Sequence, residues 1–440
     1  MEDDKENKCF HMLMRAFSFL TQLILIIIAV LIQMFGSMFE KIFNGNIFRR
    51  KKERLINEES EDYLSVIGHI DTRMDLNKDI KHGDARYYPA LSMMAAKIAY
   101  ENELFIKKVV SRHWNMEFVK FYKCYNENLK RKTTEAFIMR EGTAEDDKFI
   151  VAFRGTTDAY DWSTDFDYSW CNIDGMGRTH RGFMIALGLR EFSLLDEDYK
   201  CDFPNSQIEQ DPEKPIAYYV IRDKLKEIMA ENKRAKFIVT GHSLGGALAI
   251  LFPAILAYHG EVELLDRMEA IYTFGQPRVG NAEFGKFMKK KLREFNIKYY
   301  RIVYGYDIVP KLPFDNAWMK FKHFGTSIHF NSFYCGKIVE EEAIKKDEKE
   351  VNIMIKILRK PSEIVKSFMV FILKTLNAKW ELIRGFIIGI TAGPYYKEGW
   401  FLIGLRYVGI IFPDFINHNP QDYVNSTMLG SQDLFKYYPH

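Results

Sequence analysis

The sequence has no Cys-x-x-Cys pair. Its five cysteines, Cys9, Cys124, Cys171, Cys201 and Cys335, are odd in number and scattered over 440 residues. That pattern excludes a zinc ribbon and a disulfide scaffold, and points to reduced thiols facing the cytosol. Net charge is also nearly absent, at +3, so there is no footprint of a nucleic-acid binder. No internal repeat or low-complexity tract occurs, and a composition 47% apolar and 28% charged excludes global disorder. Finally, no basic run precedes the first apolar stretch. The chain starts MEDDKENK, and no small-residue cleavage site follows the apolar run, which argues against a secretory signal peptide.

What is present begins with that apolar run. Ala16 to Phe39 carries no charge, and as a helix it would extend roughly 36 Å against a hydrocarbon core of about 30 Å. Arg49, Arg50, Lys51, Lys52 and Arg54 follow it, which by the positive-inside rule keeps the rest of the chain cytosolic. Residues 1–45 therefore read as a hydrophobic membrane anchor, either spanning a bilayer or inserted in a monolayer. Residues 46–85 read as a charged linker, and 86–440 as one folded domain.

Within that domain, strand and helix patterns alternate. Glu117–Cys124, Thr134–Met139, Lys148–Phe153, Lys236–Thr240, Ala270–Phe274 and Lys298–Tyr304 are short β-branched or aromatic runs. Ala90–Tyr100 and the stretch bearing Ile221, Leu225, Ile228 and Met229 have helical spacing. Alternation of this kind predicts an α/β domain with a mostly parallel sheet covered on both faces. An insertion at about 336–382 is charged, then amphipathic. The apolar runs Ile364–Leu376, Phe386–Ile390 and Trp400–Phe412 read first as core packing, and second as helices lying on lipid.

Gly241-His242-Ser243-Leu244-Gly245 fits G-x-S-x-G between a strand and a small-residue helix, the setting of the nucleophile elbow in α/β-hydrolases. A serine hydroxyl needs a base and an orienting acid, which in this fold follow in the order acid, then histidine. Asp307 ends a strand and is the preferred acid, with Asp315 and Asp414 as rivals. His323, His329 and His418 all follow it, and position alone favours His418 only modestly. The backbone N–H of Leu244, next to the nucleophile, is one oxyanion donor, and that of Thr156, closing the strand at FRGT, is the natural second.

Several motifs together resemble the class 3, fungal-lipase-like branch of the α/β-hydrolases. They are FRGT (Phe153–Thr156), Asp161-Trp162 with Asp165-Phe166, His180–Phe183, TGHSLGGALA, TFGQPRVGN and Asp307-x-Val309-Pro310. The stretches KHFGTSIHFNSFYCGK, YKEGWF and HNPQDYVNSTMLG are similar more narrowly to plant oil body triacylglycerol lipases. The resemblance implies a Ser243–Asp307–His418 triad, with His418 supported by the nearby Tyr423, and an oxyanion hole of Thr156 and Leu244. It implies a lid around Thr157–Asp165, no metal or organic cofactor, and hydrolysis of triacylglycerol at a lipid-droplet or endoplasmic reticulum surface. Phospholipase A1 or galactolipase activity is the alternative, and a silent lipase-like scaffold a third. The long insertion between Asp307 and His418 departs from compact fungal lipases and keeps His329 a rival.

Overall fold

The computed structural model describes residues 57–126, 129–142, 147–156, 170–191, 201–204, 211–313, 320–339 and 361–436. The expected anchor at 1–45, the expected lid, Asp315 and the charged part of the insertion at 340–360 lie outside these residues. Among the described residues no helix is long and apolar enough to cross a membrane.

Eight strands form one sheet: β1 Glu117–Asn126, β2 Arg131–Glu141, β3 Lys148–Phe153, β4 Lys236–His242, β5 Met268–Phe274, β6 Lys298–Tyr304, β7 Ser327–Phe330 and β8 Gly336–Val339. Their spatial order is their chain order. The β3–β7 strands run parallel, and β1, β2 and β8 are antiparallel additions at the two edges. This is the mostly parallel sheet of an α/β-hydrolase.

Strand side chains alternate between two separate cores, as the period of two demands. From β3, Phe149, Val151 and Phe153 enter one core while Ile150 and Ala152 enter the other. Helices α2 (Ala217–Glu231), α3 (Leu244–Tyr258) and α4 (Ala282–Glu294) supply the first core. The second is covered by α1 (Tyr87–Ile98) and by α7 (Pro420–Leu429) near the other end of the chain.

Two sequence readings need redrawing. The amphipathic part of the insertion expected at 336–382 belongs to a single 31-residue helix, α5 (Pro361–Thr391), which continues past it, so the runs Ile364–Leu376 and Phe386–Ile390 belong to one element. It packs on α6 (Trp400–Gly409). The stretch expected as a linker is folded onto the domain from residue 57 onward. Ile70, Asp71 and Ile80 are buried, and Arg73 pairs with Asp71 and donates to Asn425 Oδ1 at 2.8 Å.

Candidate active site

Ser243 stands between the end of β4 and the first residue of α3 with φ 61° and ψ −129°. A non-glycine residue is rarely held there, and such strain persists only where the surroundings enforce it. Here the Ser243 N–H donates to Phe274 O (2.9 Å) and its carbonyl accepts from Gly246 N–H (2.9 Å). The flanking glycines are steric requirements. A Cβ on Gly241 would lie 2.1 Å from Gly245 O, and one on Gly245 would lie 2.3 Å from Phe153 O.

Asp307 leaves the end of β6 and is buried. Its carboxylate accepts from His418 Nδ1 (2.7 Å), from the Tyr423 hydroxyl and from Val309 N–H (2.9 Å). The ring of His418 is thereby fixed with Nδ1 toward the acid. Its Nε2 is buried and has no hydrogen-bond partner among the described residues. Nε2 is the atom a general base must present, and contacts of this kind commonly tighten only when substrate is bound.

The rival residues are placed elsewhere. His323 Nε2 lies 2.5 Å from Pro310 O. His329 sits in β7, where burial and the positive charge of Arg301 push its pKa down to about 3. Asp414 pairs with Lys374 (2.8 Å) rather than with a histidine.

Thr156 and Leu244 line one small cavity of about 20 Å³, with Arg154, Gly155 and Leu248 among its other walls. As the first residue of α3, Leu244 has a backbone N–H with no partner inside the helix. The two residues expected to supply the oxyanion donors thus border one space, and Leu244 directly follows the nucleophile in the chain.

Some contributors were not legible as site residues. Gly275, inside TFGQPRVGN, has φ +57°, and a Cβ there would lie 2.8 Å from His418 Cε1 and 3.0 Å from Asp307 Oδ2. Its position directly after a strand was the available signal. Tyr100 is buried beside the elbow, its hydroxyl 2.9 Å from His242 Nδ1. His242 stacks on His418 at 4.6 Å between centroids, and burial followed by the proximity of His418 holds its pKa well below the ordinary value. A neutral His242 leaves positive charge on His418 unopposed by a second cation.

The loop carrying His418 is pinned on both sides. Asn417 Oδ1 accepts from Tyr306 N–H (2.7 Å) and its Nδ2 donates to Glu381 Oε2 of α5 (2.8 Å). Asn419 caps α7 by accepting from Asp422 N–H (3.0 Å). Asp422 in turn meets Arg384 (2.6 Å) and Arg406 (3.1 Å), all three buried. No group of acids, histidines and cysteines among the described residues is arranged to hold a metal.

A parallel sheet with a strained serine at a strand–helix elbow, and an acid–histidine pair on later loops, defines a protein of the α/β-hydrolase class. Comparison with known proteins narrows this. Residues 150–317 match the family model described as Lipase (class 3). The chain is 39% identical to a triacylglycerol lipase OBL1 of Nicotiana tabacum, over 84% of this chain and 73% of that one. It is 37% identical to that of Arabidopsis thaliana, over 88% and 77%. A solved Rhizomucor miehei triacylglyceride lipase aligns over 56% of this chain and 79% of its own, with 22% identity and a TM-score of 0.40. The chain belongs to the class 3 lipase family.

Proposed function

We propose that this protein hydrolyses the acyl esters of triacylglycerols through Ser243, His418 and Asp307. The observation that carries the reading is the 2.7 Å Asp307–His418 contact, which orients a half-buried imidazole in a chain whose strained elbow serine is Ser243. His418 takes the Ser243 proton as Oγ attacks the ester carbonyl. Asp307 holds the tautomer and balances the imidazolium. The backbone N–H groups of Thr156 and Leu244 receive the oxyanion. His418 then protonates the departing alcohol, and water cleaves the acyl-serine by the same steps reversed.

The choice of triacylglycerol rests on the OBL1 relatives, which are named for that substrate. Their resemblance also supports a place on lipid droplets or a cytosol-facing membrane, with the uncharged run Ala16–Phe39 as tether. A more distant relative, 28% identical over 37% of this chain, is a phospholipase A1 of Arabidopsis thaliana, so phospholipid is the substrate to compare.

The test is fatty-acid release from emulsified triolein and from phospholipid vesicles by the full chain. Wild type releases fatty acid from triolein faster than from phospholipid. Ser243→Ala and His418→Ala each lose on the order of 10⁴-fold or more. A fully active His418→Ala protein would remove His418 from the mechanism, and faster phospholipid cleavage would replace the substrate.

A further inference from the structure

We infer that the outer face of α5 and α6 is a docking surface for a phospholipid-coated triacylglycerol droplet. Among the described residues, most of the exposed large apolar side chains fall in 369–412. Phe371, Ile383, Phe386, Ile390, Trp400 and Ile411 all point to solvent, with Ile390 at 85% and Trp400 at 79% exposure. Phe386 and Trp400 approach to 6.5 Å, so the two helices share one patch. Soluble monomers seldom leave such an area bare.

Three features choose lipid over a protein partner. First, the charges are sorted. The carboxylates of this segment, Glu381 and Glu398, are 2% and 5% exposed and face inward, while Lys379 and Lys397 face out. Among the described residues of 369–412 the exposed charges beside these apolar side chains are cations, which complements phospholipid head groups. Second, the Thr375 and Thr391 hydroxyls donate back to their own helix, to Phe371 O (3.0 Å) and Ile387 O (3.3 Å). Such groups need nothing from a partner, whereas protein interfaces carry about one hydrogen bond per 100–200 Å². Third, the opposite face of the same helix holds the catalytic loop through the Glu381–Asn417 bond. The inward ionic residues prevent α5 from spanning a bilayer, so it lies along a surface.

The choice of occupant rests on the proposed lipase activity, and the experiment separates the two. Triolein droplets coated with brominated phosphatidylcholine and phosphatidylserine are mixed with the full chain in Ser243→Ala form, and tryptophan fluorescence is read. Residues 1–56 contain no tryptophan, so a tether there contributes no signal. Droplet binding is expected to quench the fluorescence, and Trp400→Phe to remove most of that quench. In the Ser243-intact enzyme, Phe386→Asp with Ile390→Asp should lower triolein-emulsion turnover about ten-fold or more while hydrolysis of a soluble short-chain ester is unchanged. Flotation with droplets without quenching, quenching that survives Trp400→Phe, or an unaltered emulsion-to-soluble ratio overturns the docking surface. Failure of the wild type on the soluble ester overturns the lipase reading instead, and leaves the quenching result standing.

Discussion

At the scale of single residues, the site is made by exclusion of side chains as much as by their presence. Ser243, Asp307 and His418 bring functional groups, but Gly241, Gly245 and Gly275 keep open the space those groups occupy. Gly275 gives a test that touches none of the expected triad. An alanine there would put a Cβ against both the His418 ring and the Asp307 carboxylate, at a φ that L-residues rarely adopt. The expected outcome of Gly275→Ala is a fall in kcat of about a hundred-fold from misplacement of the base, with the soluble-ester KM nearly unchanged. A variant with wild-type kcat and a normal circular dichroism spectrum would show that the His418–Asp307 pair tolerates displacement. Motif and chain order single out Ser243 and favour Asp307, whereas His418 as the expected base needed the family resemblance. Gly275 was not, because a glycine in sequence does not say what its missing side chain would hit.

At the scale of elements, β1–β6 were legible nearly to their ends, since β-branched and aromatic runs bounded by turn residues report buried strands directly, whereas the short β7 and β8 were not. The α5 helix was not. Its apolar runs were separated by Glu381 and Arg384, which in sequence look like a solvated break. In the structure both charges are buried, tied to Tyr304, Asp422 and Asn417. A sequence cannot distinguish a charge facing water from one facing a buried partner. The same network predicts where the C-terminal helices are vulnerable. Arg406 makes two bonds to Glu398, at 2.5 and 2.6 Å, and a third to Asp422. Arg406→Met would take from the buried Glu398 carboxylate its two close bonds and leave Asp422 with Arg384 as its one close arginine, a change that typically costs about 3–5 kcal/mol. Guanidinium unfolding should show an unfolding free energy lower by about that amount, read as a lower midpoint. An unchanged midpoint would mean the cluster is neutralised by protonation rather than by Arg406.

At the scale of the whole molecule, the two ends of the described chain are joined by hydrogen bonds from an arginine that a local ion pair holds in place. Arg73 pairs with Asp71 near residue 70 and donates to Asn425 and to Gln421 O in α7. This makes the domain as a whole sensitive to acid. Burial alone would raise both carboxyls. For Asp71, however, Arg73 and Lys97 outweigh it and hold the pKa at about 2, and for Asp422, Arg406 and Arg384 do the same, also to about 2. A carboxyl depressed in the folded state contributes stability above its unfolded pKa of about 3.9 and loses it as pH falls through the folded value. Each should therefore contribute roughly 2–3 kcal/mol at neutral pH, lost between about pH 4 and pH 2. Glu381 acts in the opposite sense. Its pKa is raised by burial and by Asp422, so its stability contribution is greatest where it is protonated and falls as pH rises. Denaturant midpoints measured from pH 7 downward should thus hold or rise slightly as Glu381 protonates, then drop steeply below pH 4. Asp71→Asn should flatten roughly half of that drop, while lowering stability at pH 7 because Arg73 and Lys97 lose their counter-charge. A profile that stays level to pH 2 in the wild type would show that neither Asp71 nor Asp422 stabilises the fold through its ion pair.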